Sequence, residues 1–265
     1  MEEEKLIRMI KNNPDVIKTI SHPTEEMKRL AVSEKGLVLA YIEDPIREIE
    51  ELAMNQDVRA IKFIKEPTEE MMLQAVKESW VLLEFIKNPT QKILKLALEQ
   101  SGWAIQYVKE PSEELQLLAV RKNVDAIKYI KAPYESVQEE AVKGSYESLR
   151  YIAEPSLKVE TMAIQRNERA IQFIKYLDQA KKRTFLGVNS LVIKYIEKDI
   201  TQEEVEEVLK EVVAQEDVSD KYIRDFLNCR TMDRVLSHRD KMLFIDRYGS
   251  KKAKKIAVDE KLKRI

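Results

Sequence analysis

Few residues in this chain have side chains suited to catalysis, and they form no recognisable group. The 265-residue sequence holds two histidines, His22 and His238, and one cysteine, Cys229. His238 follows Ser237, but adjacency in sequence does not make a dyad, and no motif supplies an orienting group or oxyanion donors for Cys229. One cysteine and two distant histidines also lack the spacing of a zinc site. We therefore predict a non-enzymatic protein without metal or cofactor, and keep a Cys229–His238 enzyme as the less favoured alternative.

Basic side chains, by contrast, recur at a fixed spacing that suits binding of acidic groups. They fall five and two residues before a proline that recurs every 22 residues. The first position holds Lys18, Lys62, Lys128, Arg150 and Lys194. The second holds Lys65, Lys87, Lys109, Lys131 and Lys175. Because residues three apart share a helix face, we expect these cations to form one basic ladder, opposed only by Glu43, Glu84 and Glu197.

The spacing of the prolines defines a tandem repeat. Seven of the eight prolines lie 22 residues apart, at Pro23, Pro45, Pro67, Pro89, Pro111, Pro133 and Pro155. An alanine follows each by eight residues, and Ile or Val precedes each by three. The register continues past the last proline, with Leu177 and Asp199 at the proline position, and backward to the first residue. A fixed period of this size indicates a stacked array, here of nine units over residues 1–198.

Each 22-residue repeat is predicted to form two helices. The first begins after the proline, where Thr24, Thr68, Thr90, Ser112 or Ser156 is available as its N-cap. Alternatively the residue before the proline, such as Asp44 or Asn88, caps it and proline takes the first helical position. The second is a short helix of the type AIKYIK that the next proline ends. A pair this small cannot bury its own apolar face, so neighbouring units must stack through the alanine, isoleucine and aromatic positions.

Segments such as ERAIQFIK, NPTQKILKLAL and EPSEELQLLAV resemble the HEAT-like α-solenoid families. They are similar above all to short-unit arrays in uncharacterised proteins of phages, large viruses and bacteria. The resemblance covers residues 1–198 and implies an all-α fold, a right-handed α/α-solenoid superhelix of nine 22-residue helix pairs with a helical C-terminal cap. It implies a binding surface, since such arrays have many partners, and carries little about activity.

Composition excludes several classes of protein. Apolar residues make up 44% and charged residues 35%, which is too apolar for a disordered chain. The net charge is −1, so the chain as a whole has no polyanion-binding signature. The single cysteine precludes an internal disulfide, and no apolar run approaches the length of a membrane span. These features predict a cytoplasmic protein without a membrane partner.

The basic ladder has two interpretations. In the first, acidic residues beside the prolines neutralise the basic ladder in solvent-exposed ion pairs, each of which contributes little to stability. In the second, the short helices line the concave side of the array, and the ladder forms a binding groove with the adjoining aromatic residues. That groove includes Tyr107, Tyr129, Tyr151, Trp80 and Trp103, with the tryptophans at turns between helices. Its most favoured partner is another protein, and the runner-up is nucleic acid, for which lysine with interleaved tyrosine is suited.

The sequence changes character after residue 198. Residues 201–215 predict an acidic amphipathic helix with a capping box at Thr201 and Glu204. Further apolar helices are predicted over 221–230 and 241–248, before a basic end that carries Lys251, Lys252, Lys254 and Lys255. We predict that residues 199–265 are a helical cap of the array. The alternative is a small module that contacts a partner through those four lysines.

Overall fold

The computed structural model describes residues 2–263, and every regular element in that range is a helix. The predicted all-α class is therefore confirmed. The chain divides into two compact units, Met1–Ile130 (unit 1) and Lys131–Ile265 (unit 2). Within the described residues, no helix has both the length and the apolar character needed to cross a lipid bilayer. The predicted boundary near residue 198, between array and C-terminal cap, stays a prediction.

Nine helix pairs follow one another at the predicted spacing within residues 2–199. Eight of the nine long helices have ten residues, and their first residues lie 22 apart. The long helices are Glu2–Asn12, Glu25–Glu34, Arg47–Gln56, Glu69–Glu78, Gln91–Gln100, Glu113–Lys122, Glu135–Gly144, Leu157–Arg166 and Gln179–Val188. We number the repeats one to nine by these helices. Repeats one to six lie in unit 1, and repeats seven to nine lie in unit 2.

The second helix of each repeat is short, as predicted, and it is a 3₁₀ helix. Eight of these helices have six residues. They are Pro14–Thr19, Gly36–Tyr41, Val58–Phe63, Trp80–Phe85, Gly102–Tyr107, Val124–Tyr129, Tyr146–Tyr151 and Glu168–Phe173. In repeat nine the corresponding segment runs through Ser190–Val192, Ile193–Ile196 and Glu197–Asp199.

The end of the 3₁₀ helix differs from the prediction. We expected the proline to end it, but it ends at the aromatic residue four positions earlier. In repeat three the next residue, Ile64, is extended, with φ −89° and ψ 120°, and its N–H still donates to the carbonyl of Ile61. The extended isoleucine turns its side chain into the core, where Ile64 is buried. The chain therefore leaves the helix before the proline is reached.

Local sequence explains where the long helices begin and end. Thr24, Thr68 and Ser156 each accept a hydrogen bond from the backbone N–H three residues on, at 3.3 Å, so the first of the two capping placements is confirmed there. At the other end, small polar residues such as Asp57 and Asn167 donate their backbone N–H to the carbonyl of the repeat alanine. The side chains of these two residues then cap the following 3₁₀ helix. One residue thus ends one helix and starts the next.

The core of each unit is built by stacking consecutive repeats. Most long helices pack on the long helix of the next repeat, and 3₁₀ helices pack on 3₁₀ helices, so each unit has two layers of helix within its repeats. The repeat alanines are completely buried, which allows neighbouring backbones to approach closely. These are Ala31, Ala53, Ala75, Ala97 and Ala119 in unit 1 and Ala141 and Ala163 in unit 2. Phe185 takes the alanine position of repeat nine and is also fully buried.

Unit 2 continues beyond its three repeats with further helices. They are Gln202–Val213, Asp220–Asn228, Met232–Arg234, His238–Tyr248 and Lys251–Leu262. The capping box predicted at Thr201 and Glu204 is present, with both reciprocal hydrogen bonds. Gln202–Val213 packs on the last long helix of the array, where the Cβ of an alanine at Gly187 would lie 3.7 Å from Val208.

Candidate binding surface

An aromatic residue ends the 3₁₀ helix in repeats two to eight, and its ring is only partly covered. In unit 1, Tyr41 is 49% exposed, while Phe85 and Tyr129 are each 40% exposed. Phe63 and Tyr107, in the repeats between them, are half-buried. Five consecutive repeats therefore place a ring at the same position of the 3₁₀ layer. The three exposed rings, and that of Tyr151 in unit 2, are therefore not part of the core.

Cationic side chains lie over several of these rings. Lys62 Nζ is 4.8 Å from the centre of the Phe63 ring, and Lys128 Nζ is 4.9 Å from that of Tyr129. Lys18, in repeat one, reaches the next repeat and lies 5.8 Å from the Tyr41 ring. At such distances the negative face of the ring attracts the cation. We call these rings and cations the ring–cation ladder: Tyr41, Phe63, Phe85, Tyr107 and Tyr129 with Lys18, Lys62 and Lys128.

Both tryptophans adjoin this ladder. They lie within 3₁₀ helices rather than at the predicted turns, since Trp80 is the first and Trp103 the second residue of its helix. The Trp80 ring is 6.2 Å from that of Tyr107 in the following repeat. Trp103 Nε1 donates a hydrogen bond of 2.9 Å to Asp125 Oδ1, and Lys128 Nζ lies 5.9 Å from the Trp103 ring.

The lysines two residues before the proline are not on the 3₁₀ helix. Because the helix ends at the aromatic residue, Lys65, Lys87 and Lys109 follow the extended residue instead. We had expected these lysines to share one helix face with Lys62 and Lys128. Helix geometry does not place them there. All three are exposed. Lys65 Nζ is 3.1 Å from Asp44 Oδ1, whereas Lys87 and Lys109 have no ion pair among residues 2–263.

A depression lies on the surface where the 3₁₀ helices of repeats three and four meet. Its volume is about 160 Å³. The residues lining it are Lys62, Phe63, Ile64, Lys65, Pro67, Phe85 and Lys87. Three lysines and two phenylalanines thus line one space, and no acidic residue is among its lining. We call it the three-lysine depression.

The charge along the ladder is not uniform. At the position held by Lys62 and Lys128, repeats two, four and five carry Ala40, Glu84 and Gln106. Burial, followed by the charges of Glu84 and Tyr129, raises the pKa of Tyr107 above its ordinary value. Desolvation alone would lower the pKa of Lys128, but the interactions with Tyr129 and Asp125 outweigh it and raise that pKa above its ordinary value. Asp125 Oδ2 lies 3.6 Å from Lys128 Nζ.

Unit 2 carries the same pattern with arginine. The Arg150 guanidinium lies 5.9 Å from the Tyr151 ring and 4.9 Å from the Phe173 ring of the next repeat. Lys194 pairs with Glu168 at 3.2 Å, and Lys175 donates to the carbonyl of Ala153 at 2.8 Å. The remaining cation of the predicted ladder, Lys131, is exposed.

The predicted C-terminal lysines lie on the helix Lys251–Leu262. Lys251, Lys254 and Lys255 are exposed. Lys252 is half-buried and pairs with Asp220 at 3.2 Å, so its charge is used within unit 2.

The sequence analysis missed one lysine of unit 2. Lys241 is completely buried, and its Nζ donates to the carbonyls of Phe226, Leu227 and Cys229 at 3.1, 2.8 and 3.2 Å. Asp233 Oδ1 lies 2.8 Å from the same atom. This ammonium caps the carboxyl end of helix Asp220–Asn228. The sequence did hold a signal for this buried lysine, since Lys241 occupies a core position in the amphipathic pattern of 241–248.

The residues considered for catalysis lie in unlike surroundings. Cys229 is buried, whereas His238 is exposed as the first residue of its helix, and His22 is also exposed. Ser237 caps that helix by accepting from the N–H of Asp240. Within residues 2–263, no group of three or more His, Cys, Asp and Glu side chains has the arrangement of a metal site. The absence of catalysis stays a prediction.

Comparison with known proteins yields no matching family model, no matching curated protein and no matching solved structure. The functional argument therefore depends on the surface itself.

Proposed function

We propose that the protein is a binding scaffold that holds a segment of another protein along the ring–cation ladder of unit 1. The observation that carries this proposal is the placement of partly exposed rings at one position of five consecutive repeats, with cations over three of them. Tyrosine, tryptophan and arginine are the residues most often responsible for binding energy at protein interfaces. Trp80 and Trp103 adjoin the same row.

The charge pattern favours a polypeptide over nucleic acid. A nucleic acid presents a negative charge at every nucleotide, so it would place phosphate beside Glu84 as well as beside Lys62 and Lys128. A polypeptide can instead vary its charge from one repeat to the next. Residues 1–200 as a whole carry 31 basic and 33 acidic side chains, a balance that weakens nonspecific attraction of a polyanion.

The test is selection of random displayed peptides of about 15 residues, which span about five repeats when extended. The bait is the full chain. We expect the selected peptides to lose at least about tenfold in affinity for a variant with Phe85→Ala, Tyr107→Ala and Tyr129→Ala. Tyr176→Ala is the matched control, since Tyr176 is 83% exposed and lies outside the ladder. Equal binding to the triple variant and to the control would overturn the proposal.

Single-stranded nucleic acid is the second candidate, supported by Lys128 between the rings of Trp103 and Tyr129. It predicts that an oligonucleotide binds with an affinity that falls steeply with salt, and that reversal of Lys62, Lys65, Lys128 and Lys131 removes binding. Peptide binding that depends on the rings and changes little with salt would favour the first candidate. The repeat sequence alone supports two further proposals. One is a relationship to the HEAT-like arrays of phages, large viruses and bacteria, and the other is a role in binding host machinery.

A further inference from the structure

We infer that the three-lysine depression is an anchor site for a carboxylate side chain of an extended peptide segment. This inference rests on the proposed function and names the chemistry that the ladder recognises. It concerns one place on the ladder, between repeats three and four, rather than the ladder as a whole.

The cations at this site are free to meet a ligand. Lys62 and Lys87 have no ion pair among residues 2–263, and Lys65 has one exposed contact, with Asp44 at 3.1 Å. The nearby carboxylate of Asp57 is already engaged, because Arg59 donates to it at 2.9 and 3.1 Å through Nε. An incoming carboxylate would therefore meet the unpaired ammonium groups of Lys62 and Lys87, and would compete with Asp44 for Lys65.

The walls of the depression suit the rest of an acidic side chain. The rings of Phe63 and Phe85 flank it, and Ile64 and Pro67 complete its apolar lining. The methylene groups of aspartate or glutamate would contact these walls while the carboxylate meets the lysines. Charge-assisted hydrogen bonds from ammonium to carboxylate are about twice as strong as neutral ones.

The next repeat sets a different requirement. Glu84 stands where Lys62 stands one repeat earlier, and burial followed by the charge of Glu84 raises the pKa of Tyr107. Stacked helices lie about 10 Å apart, and an extended chain advances about 3.3 Å per residue, so about three ligand residues correspond to one repeat. The bound segment should therefore carry an acid at the three-lysine depression and a neutral or basic residue about three positions away.

The experiment uses synthetic peptides of repeated Tyr-Ser-Gln triplets with a fluorescent label. One central Gln is kept, or replaced by Glu or by Lys, and binding to the full chain is measured by anisotropy at low salt. We expect the Glu peptide to bind about tenfold more tightly than the Gln peptide, and the Lys peptide to bind more weakly than either. In the variant Lys62→Gln, Lys65→Gln, Lys87→Gln, the Glu peptide should bind no better than the Gln peptide.

A matched control removes the same charge elsewhere in unit 1. Lys77, Lys92 and Lys122 are exposed on long helices and have no ion pair among the described residues, so their triple replacement by Gln should leave the preference for Glu intact. A Lys87→Glu variant should shift the preference toward the Lys peptide. Equal affinities for the Glu and Gln peptides, equal losses in both triple variants, or no binding of the Glu peptide at millimolar concentration would overturn the inference. Failure of the proposed function would be seen separately, as displayed peptides that bind without the rings.

Discussion

At the scale of single residues, the charged groups of this chain divide into those used inside the fold and those left for a ligand. Lys241 and Asp57 belong to the first group, because Lys241 has several partners in unit 2 and Asp57 accepts several hydrogen bonds from Arg59. Lys62 and Lys87 belong to the second, since neither has an ion pair within residues 2–263. The amphipathic pattern of 241–248 marks Lys241 as a core lysine, but sequence alone could not separate Asp57 from Lys62 and Lys87. All three are charged residues at regular positions of the repeat, and only their contacts distinguish their roles.

Replacing Lys241 by alanine should destabilise unit 2. The change leaves three carbonyls at a helix end and the carboxylate of Asp233 without their donor, and we expect a loss of about 3 kcal/mol in the free energy of unfolding. The measurement is urea denaturation followed by circular dichroism. Lys254→Ala, at an exposed site on a neighbouring helix, should change stability by less than about 0.5 kcal/mol. Similar losses in the two variants would contradict the capping role of Lys241.

Asp57 should make stability depend on acid pH. Hydrogen bonds from Arg59 lower the pKa of this carboxyl below 3.8, against the opposing effect of burial. Because the folded-state pKa is the lower one, the stabilisation is fully present above the unfolded pKa and is lost as the pH falls through the folded pKa. We expect Asp57→Asn to be less stable than wild type at neutral pH, and the difference to be smaller at a pH below 3.8, where the unfolded carboxyl is mostly protonated. Denaturation midpoints at the two pH values measure this, and a difference independent of pH would argue against it.

At the scale of elements, the repeat predicted where the helices lie, but not that the short ones are 3₁₀ helices. The alanine and isoleucine positions are fixed by packing, so their period of 22 residues located nine long helices and the residues that end them. A six-residue segment is too short for its apolar pattern to distinguish a 3₁₀ from an α-helix. For the same reason the early end of the second helix could not be predicted. The exposure of Phe85 and Tyr129 follows from that early end, because the ring that finishes the helix has no further turn to cover it.

Two glycines should respond oppositely to replacement by alanine. Gly102 starts a 3₁₀ helix against the next repeat, where a new Cβ would lie 2.1 Å from the carbonyl oxygen of Ala119. Gly102→Ala should therefore cost about 1–3 kcal/mol. Gly187 is inside a long helix with ordinary space beside it, so Gly187→Ala should gain up to about 1 kcal/mol. Melting temperatures of the two variants provide the measurement, and a gain at Gly102 would show that the repeats approach less closely than described.

At the scale of the whole molecule, regular stacking produces a surface whose chemistry differs from its average composition. The net charge of −1 gives no indication of a binding site. Repetition nevertheless brings rings and cations of like position together on the 3₁₀ layer of unit 1, and repeats seven and eight of unit 2 place Arg150 between two further rings. The sequence proposed the cations, the tryptophans and the tyrosines as surface residues, whereas the exposed fraction of each ring and the three-lysine depression required the structure.

The most direct test of the binding role is the fluorescence of the two tryptophans, the only ones in the chain. Trp80 and Trp103 both adjoin the ring–cation ladder, so a peptide selected on the full chain should change their emission as it binds. We predict a saturable change in wild type, with the midpoint found by anisotropy, and its loss in the variant Phe85→Ala, Tyr107→Ala, Tyr129→Ala. Saturation of binding by anisotropy without any change in tryptophan emission, and with equal affinity for that variant, would place the partner elsewhere and contradict the account.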